Sequence, residues 1–280
     1  MGWIGAVPLA AKQVALCRTD PQGSPTGTKN CREIGDLHLD AIAAAQRLIY
    51  IETQYFSSHD VGTALAERLR VQDDTSMDVV LVLNMEAETL KEEIAVGLAQ
   101  AKVLDELRQA AVGTRHRLGI YYSVPATEPG AEPERATYIH SKVMIIDDRF
   151  LTVGSANLTN RSQCVDTELN MAVETDDADD ELGRSIVQAR RNLIAEHLGV
   201  TDAAAYDASG LVATLDDLAQ RREGRLRLHP SPTEKERTVL RVIDPQALPF
   251  DPSSIESPGN DRSLFFGDKD VKPSGSGHAE

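Results

Sequence analysis

Cysteine is scarce in this chain of 280 residues: Cys17, Cys31 and Cys164, an odd number with no CxxC pair. That spacing offers neither a zinc site nor a disulfide framework. Cys17 and Cys31 would close one small loop in a secreted protein; reduced thiols are the expectation otherwise. No run of about 18 apolar residues occurs, so nothing reads as a membrane-spanning helix. The opening MGWIGAVPLAAKQVAL lacks the basic n-region and long apolar stretch of a signal peptide. Ala6 stands where a myristoylation signal needs Ser or Thr. The expected location is the cytoplasm or a membrane surface approached from the water side. Basic charge is short as well: 29 Lys and Arg face 44 Asp and Glu, for a net charge of −15. Binding nucleic acid through its phosphates needs the opposite balance, so nucleic acid is not the expected partner. Internal repeats are also lacking.

What is present is ordinary globular material, 41 % hydrophobic and 26 % charged. Residues 18–36 are rich in Pro, Gly, Ser and Thr and read as a loop. Asp36 is placed to cap a helix through LHLDAIAAAQRL. LIYIETQYF has strand composition, and 58–70 carries Val61, Leu65 and Leu69 on one helical stripe. MDVVLVLN is a continuous apolar run, as in a strand covered on both faces. A helix over about 87–111 and the strand RLGIYYSVP follow. Strands alternating with helices predict an α/β layered fold: a mixed sheet flanked by helices on both faces. The acids Glu174, Asp176, Asp177, Asp179, Asp180 and Glu181 suit the start of a helix; they lack the spacing of a calcium loop. The expected organisation is an N-terminal strand and loop (1–36), a catalytic lobe (37–200), a helical extension (201–250) and a disordered tail (251–280).

The chemistry concentrates between Tyr138 and Asn157. His140 and Lys142 are two apart, so on a strand they share a face, opposite Ile139, Ser141, Val143 and Ile145. Asp147 and Asp148 break that strand, and FLTV makes the return. Gly154-Ser155-Ala156-Asn157 reads as a sharp polar turn leading into a helix at Asn160, Arg161 and Ser162. An imidazole serves as nucleophile or general acid/base near neutral pH. A lysine with Ser and Asn donors holds the non-bridging oxygens of a phosphate. No ligand cluster accompanies them, so the expectation is phosphodiester chemistry with no metal and no cofactor, Lys142 supplying the cation.

His140, Lys142, Asp147, Gly154, Ser155 and Asn157 spell HxKx4Dx6GSxN, the signature that the phospholipase D superfamily carries, and the chain resembles a lobe of that family. IYIETQYFSS resembles the segment that opens the family's second lobe, NRSQCVDTELNMAV the stretch after its second motif, and DPQALPFDP the close of bacterial members. The resemblance runs over roughly 14–250 and is most specific over 138–170. It implies a site built where two motifs meet. One histidine forms a phosphohistidine, and the other protonates the leaving alcohol and then activates water or another alcohol. It implies that His140 is the acid/base, that Lys142 and Asn157 bind phosphate oxygens with Ser155 assisting at the Gly154 turn, and that Asp147 holds its loop. Glu168 falls where the family places an acid that fixes the histidine tautomer, with Asp166 the alternative. Glu52, Gln54 and Tyr55 either line the pocket floor or are ordinary strand residues.

One motif is missing. His38, His59, His116, His197, His229 and His278 are not followed by lysine at the second position, so the chain holds a single HxK. Either two copies of His140 meet in a homodimer, or a first lobe comes from a missing N-terminal half or a partner chain; the second-lobe features favour the latter. The implied activity is release or transfer of a phospholipid head group, from phosphatidylcholine or a similar lipid, giving phosphatidic acid at a membrane surface. A homodimeric endonuclease and an inactive binding lobe are the alternatives.

Overall fold

A computed structural model of the chain describes residues 7–20, 31–72, 74–85, 97–126, 135–201, 206–242 and 251. The strands are β1 (Ala15–Asp20), β2 (Cys31–Arg32), β3 (Leu48–Thr53), β4 (Asp78–Leu83), β5 (Arg117–Ser123), β6 (Val143–Ile146), β7 (Phe150–Gly154), β8 (Glu168–Glu174) and β9 (Leu226–Leu228). They form one sheet in the order β2-β1-β8-β7-β6-β3-β4-β5-β9. β3, β4 and β5 are parallel, and every other neighbouring pair is antiparallel. The helices are α1 (Glu33–Ala44), α2 (His59–Arg70), α3 (Leu98–Ala111), α4 (Asn160–Cys164), α5 (Glu181–Leu198), α6 (Leu211–Arg221) and α7 (Glu234–Val242). The chain is thus an α/β lobe with a mixed sheet.

Helices cover both faces because strand side chains alternate. On one face Ile49, Ile51, Val79 and Leu81 pack against Ile42, Leu65, Leu69, Leu104 and Leu107 of α1, α2 and α3. On the other, Leu48, Tyr50, Val80, Val82, Ile145 and Leu151 pack against Ile186, Ile194, Leu198, Leu211 and Leu215 of α5 and α6. All six residues of β4 are buried, as a doubly covered strand requires. Ser58 caps α2 by accepting from Val61 N–H, and Asp180 caps α5 by accepting from Gly183 N–H. Gly199 ends α5 at φ 73°.

Several expectations shift. α1 starts at Glu33 with no side-chain cap, so Asp36 lies within the helix rather than capping it. Burial of Ile34 and His38 holds that first turn by packing. The loop expected over 18–36 is interrupted by pairing, Thr19 opposite Arg32 and Asp20 opposite Cys31. Of the helix expected over 87–111, α3 is seen, and 86–96 lie outside the described residues. Where helix alone was expected over 201–250, β9 pairs with β5 and forms an edge of the sheet. Asp251, expected to open a disordered tail, is buried; 252–280 lie outside the described residues. The three cysteines are free thiols. Among the described residues no helix is long and apolar enough to cross a membrane.

Candidate active site

β6 runs antiparallel to β3 and to β7, and β7 runs antiparallel to β8. The last residues of β3 and β7 and the first of β6 and β8 therefore lie at one end of the sheet. Gln54 follows β3, His140-Ser141-Lys142 precedes β6, Ser155 to Asn157 follow β7, and Glu168 opens β8. Residues spread over more than a hundred positions meet there because of strand direction alone.

Lys142 is the hub. It is 8 % exposed, and its Nζ donates to Gln54 Oε1 and to the His140 carbonyl, both at 2.9 Å. Asn157 Nδ2 donates to the same Gln54 Oε1 at 3.4 Å. Burial pushes the Lys142 amine below its ordinary range, opposed by the nearby Glu168 carboxylate. Behind this cradle, Gln163 Nε2 donates to the Asn157 carbonyl at 2.8 Å, and His38 Nδ1 donates to Gln163 Oε1 at 3.1 Å. Gly154 is required by close approach: a Cβ there would run into Asn170 Oδ1 and the Leu169 carbonyl. The same Asn170 Oδ1 accepts from Ala156 N–H at 3.2 Å and fixes the turn.

The expectation that His140 and Lys142 ride together on a strand is corrected in part. β6 begins at Val143, so both precede it; Lys142 is buried and His140 is exposed. The His140 ring lies stacked against Tyr138, centroids 6.2 Å apart at 24°. The role implied for Glu168, fixing the His140 tautomer, is not what its contacts provide. Its Oε2 accepts from Ser155 Oγ at 2.5 Å, and Ser155 Oγ accepts from Leu169 N–H at 3.1 Å. Among the described residues no hydrogen bond reaches the His140 ring. Asp166 is taken up by Arg161, through contacts of 2.5 to 3.1 Å. Glu52 is buried beside Lys142, and its carboxylate turns to Tyr50, Ser141 and His197. Asp147 belongs to the other end of β6, roughly 15 Å along the strand from Lys142. Its Oδ1 accepts from Arg47 and Leu48 N–H at 2.7 and 2.8 Å, and its Oδ2 from Gln46 N–H at 2.8 Å. It therefore anchors the start of β3 and has no place among the reacting groups.

Three contributors were not singled out from sequence. Tyr138 stacks on His140 and accepts a hydrogen bond from Gln54 Nε2; its position two before His140 was the available signal. Asn84 donates to the carbonyls of Gln54 (3.2 Å) and Ile139 (3.0 Å) and accepts from Ile139 N–H (2.6 Å). It sits just beyond the carboxyl end of a parallel strand, where α/β sheets place their sites. Asp251 accepts from Ser57 Oγ (2.5 Å), Asn160 N–H (3.2 Å) and Arg161 N–H (2.9 Å), clipping the loops after β3 and after Asn157 together. Its place in DPQALPFDP was the available signal.

Chemically, the sheet end offers a buried cation, amide and hydroxyl groups beside it, and one solvent-facing imidazole. That set suits an oxyanion with a proton to move nearby. Among the described residues no group of three or more His, Cys, Asp and Glu could hold a metal ion.

A family model described as "Cardiolipin synthase, PLD-like domain" matches residues 38–189. The chain is 26 % identical over 223 residues to phospholipase D delta of Arabidopsis thaliana, covering 61 % of this chain and 26 % of that protein. It is 28 % identical over 229 residues to phospholipase D alpha 1 of Nicotiana tabacum, covering 61 % of this chain and 28 % of that one. The chain thus spans about a quarter of the length of these relatives. A solved structure of a phospholipase D family member, Nuc from Salmonella typhimurium, aligns over 64 % of this chain and 92 % of its own at 18 % identity and a TM-score of 0.41.

Proposed function

The chain belongs to the family of phospholipase D-like domains, and from that premise we propose that it supplies one half of a two-motif phosphodiesterase site. The observation that carries this reading is the Lys142–Gln54–Asn157 cradle beside an exposed His140, in a chain whose other histidines stand outside any HxK. Lys142 and Asn157 hold the non-bridging oxygens, with Ser155 at the turn, and charge developing on phosphorus is met by the ammonium. A histidine from the second lobe attacks phosphorus, and the P–O bond to the head-group alcohol breaks. His140 gives its proton to that alcohol. It then takes a proton from water or another alcohol, whose oxygen displaces the nucleophilic histidine. One imidazole cannot be nucleophile and acid in the same step, so the second lobe is integral to the reading. The proposed substrate is a phospholipid such as phosphatidylcholine, yielding phosphatidic acid at a membrane surface. The net charge of −15 supports lipid over DNA.

The test uses the purified full chain over a range of concentrations. Head-group release from phosphatidylcholine vesicles and nicking of plasmid DNA are measured beside an NMR titration of the His140 ring with inorganic phosphate. The expected result is phosphate binding that Lys142→Ala abolishes, with little turnover of either substrate by the chain alone. Robust turnover by a dimer, lost in His140→Ala, would overturn the half-site in favour of a homodimeric enzyme. Plasmid nicking faster than head-group release would overturn the lipid assignment. Absence of phosphate binding would overturn the cradle.

A further inference from the structure

Ser141, between His140 and Lys142, joins a polar cluster that the phosphate chemistry leaves unused. Glu52 is 2 % exposed, in β3. Its Oε2 accepts from Ser141 Oγ at 2.5 Å and its Oε1 from Tyr50 Oη at 2.5 Å. His197 Nε2, in the last turn of α5, lies 3.1 Å from the same Oε1. Burial pushes the Glu52 carboxyl up, but the hydrogen bond and charge of His197, with the two hydroxyls, outweigh it and leave the group below its ordinary range. A carboxylate enclosed in the interior is costly unless its lone pairs are satisfied. Here a β3 neighbour, a helix end and the middle residue of the motif satisfy them together.

The consequence lies in where Ser141 sits. The HxK tripeptide precedes β6, and its backbone is tied to β7 only at its last residue, where Gly154 N–H donates to the Lys142 carbonyl at 3.3 Å among the described residues. Asn84 grips Ile139, the residue before the tripeptide; Gln54 receives Lys142, and Glu52 receives Ser141. Glu52 and Gln54 are two residues apart on one segment, and they take adjacent residues of the tripeptide. Releasing Ser141 removes the hold on the middle of the tripeptide while Ile139 and the Lys142 carbonyl stay tied, and the slack there loosens the aim of the Lys142 amine and of the His140 ring. We infer that Glu52, backed by His197, is a positioning residue that sets the direction of the motif by holding Ser141. This rests on the assignment of Lys142 and His140 to phosphate handling. It adds that α5, on the far face of the sheet, is coupled to them through one carboxylate.

The test reads Lys142 directly and needs no substrate. The full chain is reductively methylated under limiting conditions, and labelling at each lysine is quantified by mass spectrometry, with the exposed Lys12 as internal standard. Ser141→Ala removes a single hydroxyl, and Ser141→Thr restores one. Labelling of Lys142 relative to Lys12 should rise about tenfold in Ser141→Ala, the factor matching loss of one hydrogen bond to a charged group. Glu52→Gln should raise it in the same direction, and Ser141→Thr should stay within about twofold of the parent, a small fraction of that same hydrogen bond. Unchanged Lys142 labelling in Ser141→Ala would overturn the inference, as would a Thr variant that behaves like Ala, which would mean packing alone is at work. Should Glu52→Gln fail to fold, the Ser141 pair decides. A parallel phosphate titration separates the two readings: a parent chain that binds no phosphate, with Lys142 labelling still rising in Ser141→Ala, sinks the proposed chemistry and leaves the positioning device.

Discussion

Replacing Asp147 separates fold from chemistry at a motif position. Its carboxylate receives the N–H groups of Gln46, Arg47 and Leu48 at 2.7 to 2.8 Å, and its own backbone lies at φ 54°. Removing the side chain orphans all three donors. The Leu48 donor is buried, and the other two are part-buried and partly recovered by water. With about 1–3 kcal/mol for an unsatisfied buried donor and less where water reaches, Asp147→Gly should lose about 3–4 kcal/mol. Asp147→Ala suffers the same loss and adds the left-handed backbone penalty of about 1 kcal/mol, so about 4–5 kcal/mol in all. Asn tolerates that φ and keeps one acceptor oxygen, so Asp147→Asn should lose only about 2 kcal/mol. Urea unfolding followed by circular dichroism at pH 7 gives the three values from shifted midpoints at constant slope. The expected order of loss is Asn, Gly, Ala. In the folded Asn variant, phosphate affinity at the Lys142 cradle should stay within about twofold, well under the loss of one hydrogen bond. An Ala variant as stable as the parent would refute the anchoring role. An Asn variant that folds normally yet no longer binds phosphate would refute its separation from the site.

Further outcomes follow from other buried groups. Burial holds the His38 imidazole down to about 4 from 6.5, against its hydrogen bond to Gln163. The unfolded chain takes up that proton near pH 6.5 and the folded chain only near 4, so stability falls as pH drops through this window. The loss from pH 7 to 5 is about 2 kcal/mol, and His38→Asn should flatten it in pH-dependent urea titrations; an equal slope in both proteins would count against the assignment. Arg190 is 1 % exposed and binds both Asp148 oxygens, at 2.6 and 2.8 Å. Arg190→Met strands that carboxylate and should cost about 3–5 kcal/mol by chemical unfolding, with part regained in the double variant with Asp148→Asn. Gly154→Ala drives a methyl group into Asn170 and the Leu169 carbonyl. It should cost about 1–3 kcal/mol in thermal or urea unfolding and weaken phosphate binding by displacing Ser155 and Asn157, whereas unaltered stability would show that the turn can give way.

What the sequence made legible was local or dense. β4 was readable because five consecutive apolar residues at strand length suit burial on two faces, and α5 because Asp180 precedes it and its first turn is acidic. The motif was readable because six residue types in fixed spacing leave little to chance. What escaped depends on partners distant in the chain. β9 is three residues long and exists by pairing with β5, so no periodicity could announce it. Glu52 stayed open between pocket residue and ordinary strand residue because alternation along β3 gives a face but not what waits there; His197, 145 positions on, decides its direction. Asp166 and Glu168 were interchangeable by type, and only Arg161 and Ser155 tell them apart. Tyr138 was overlooked although the alternation that paired His140 with Lys142 extends back to it.

The distribution of order around the site bears on how a stable lobe would serve as the proposed half-site. Every group proposed to hold phosphate is fixed from within the fold: Lys142 by Gln54 and a carbonyl, Asn157 through Gln163 and His38, the turn by Asn170, the flanking loops by Asn84 and Asp251. These contacts stand at the end of a sheet that apolar layers bury on both faces, so the cradle is preorganised and loses little freedom when an oxyanion arrives. His140 is the exception. It is exposed, stacked on a tyrosine that is itself exposed, and no hydrogen bond from the described residues chooses its tautomer. An acid/base whose ring is left unaligned loses most of its advantage, because proton transfer depends on distance and direction. The ordered half of the chemistry, binding charge, is thus intrinsic to the lobe. The unordered half, moving a proton, is the part a second lobe would complete by closing over His140.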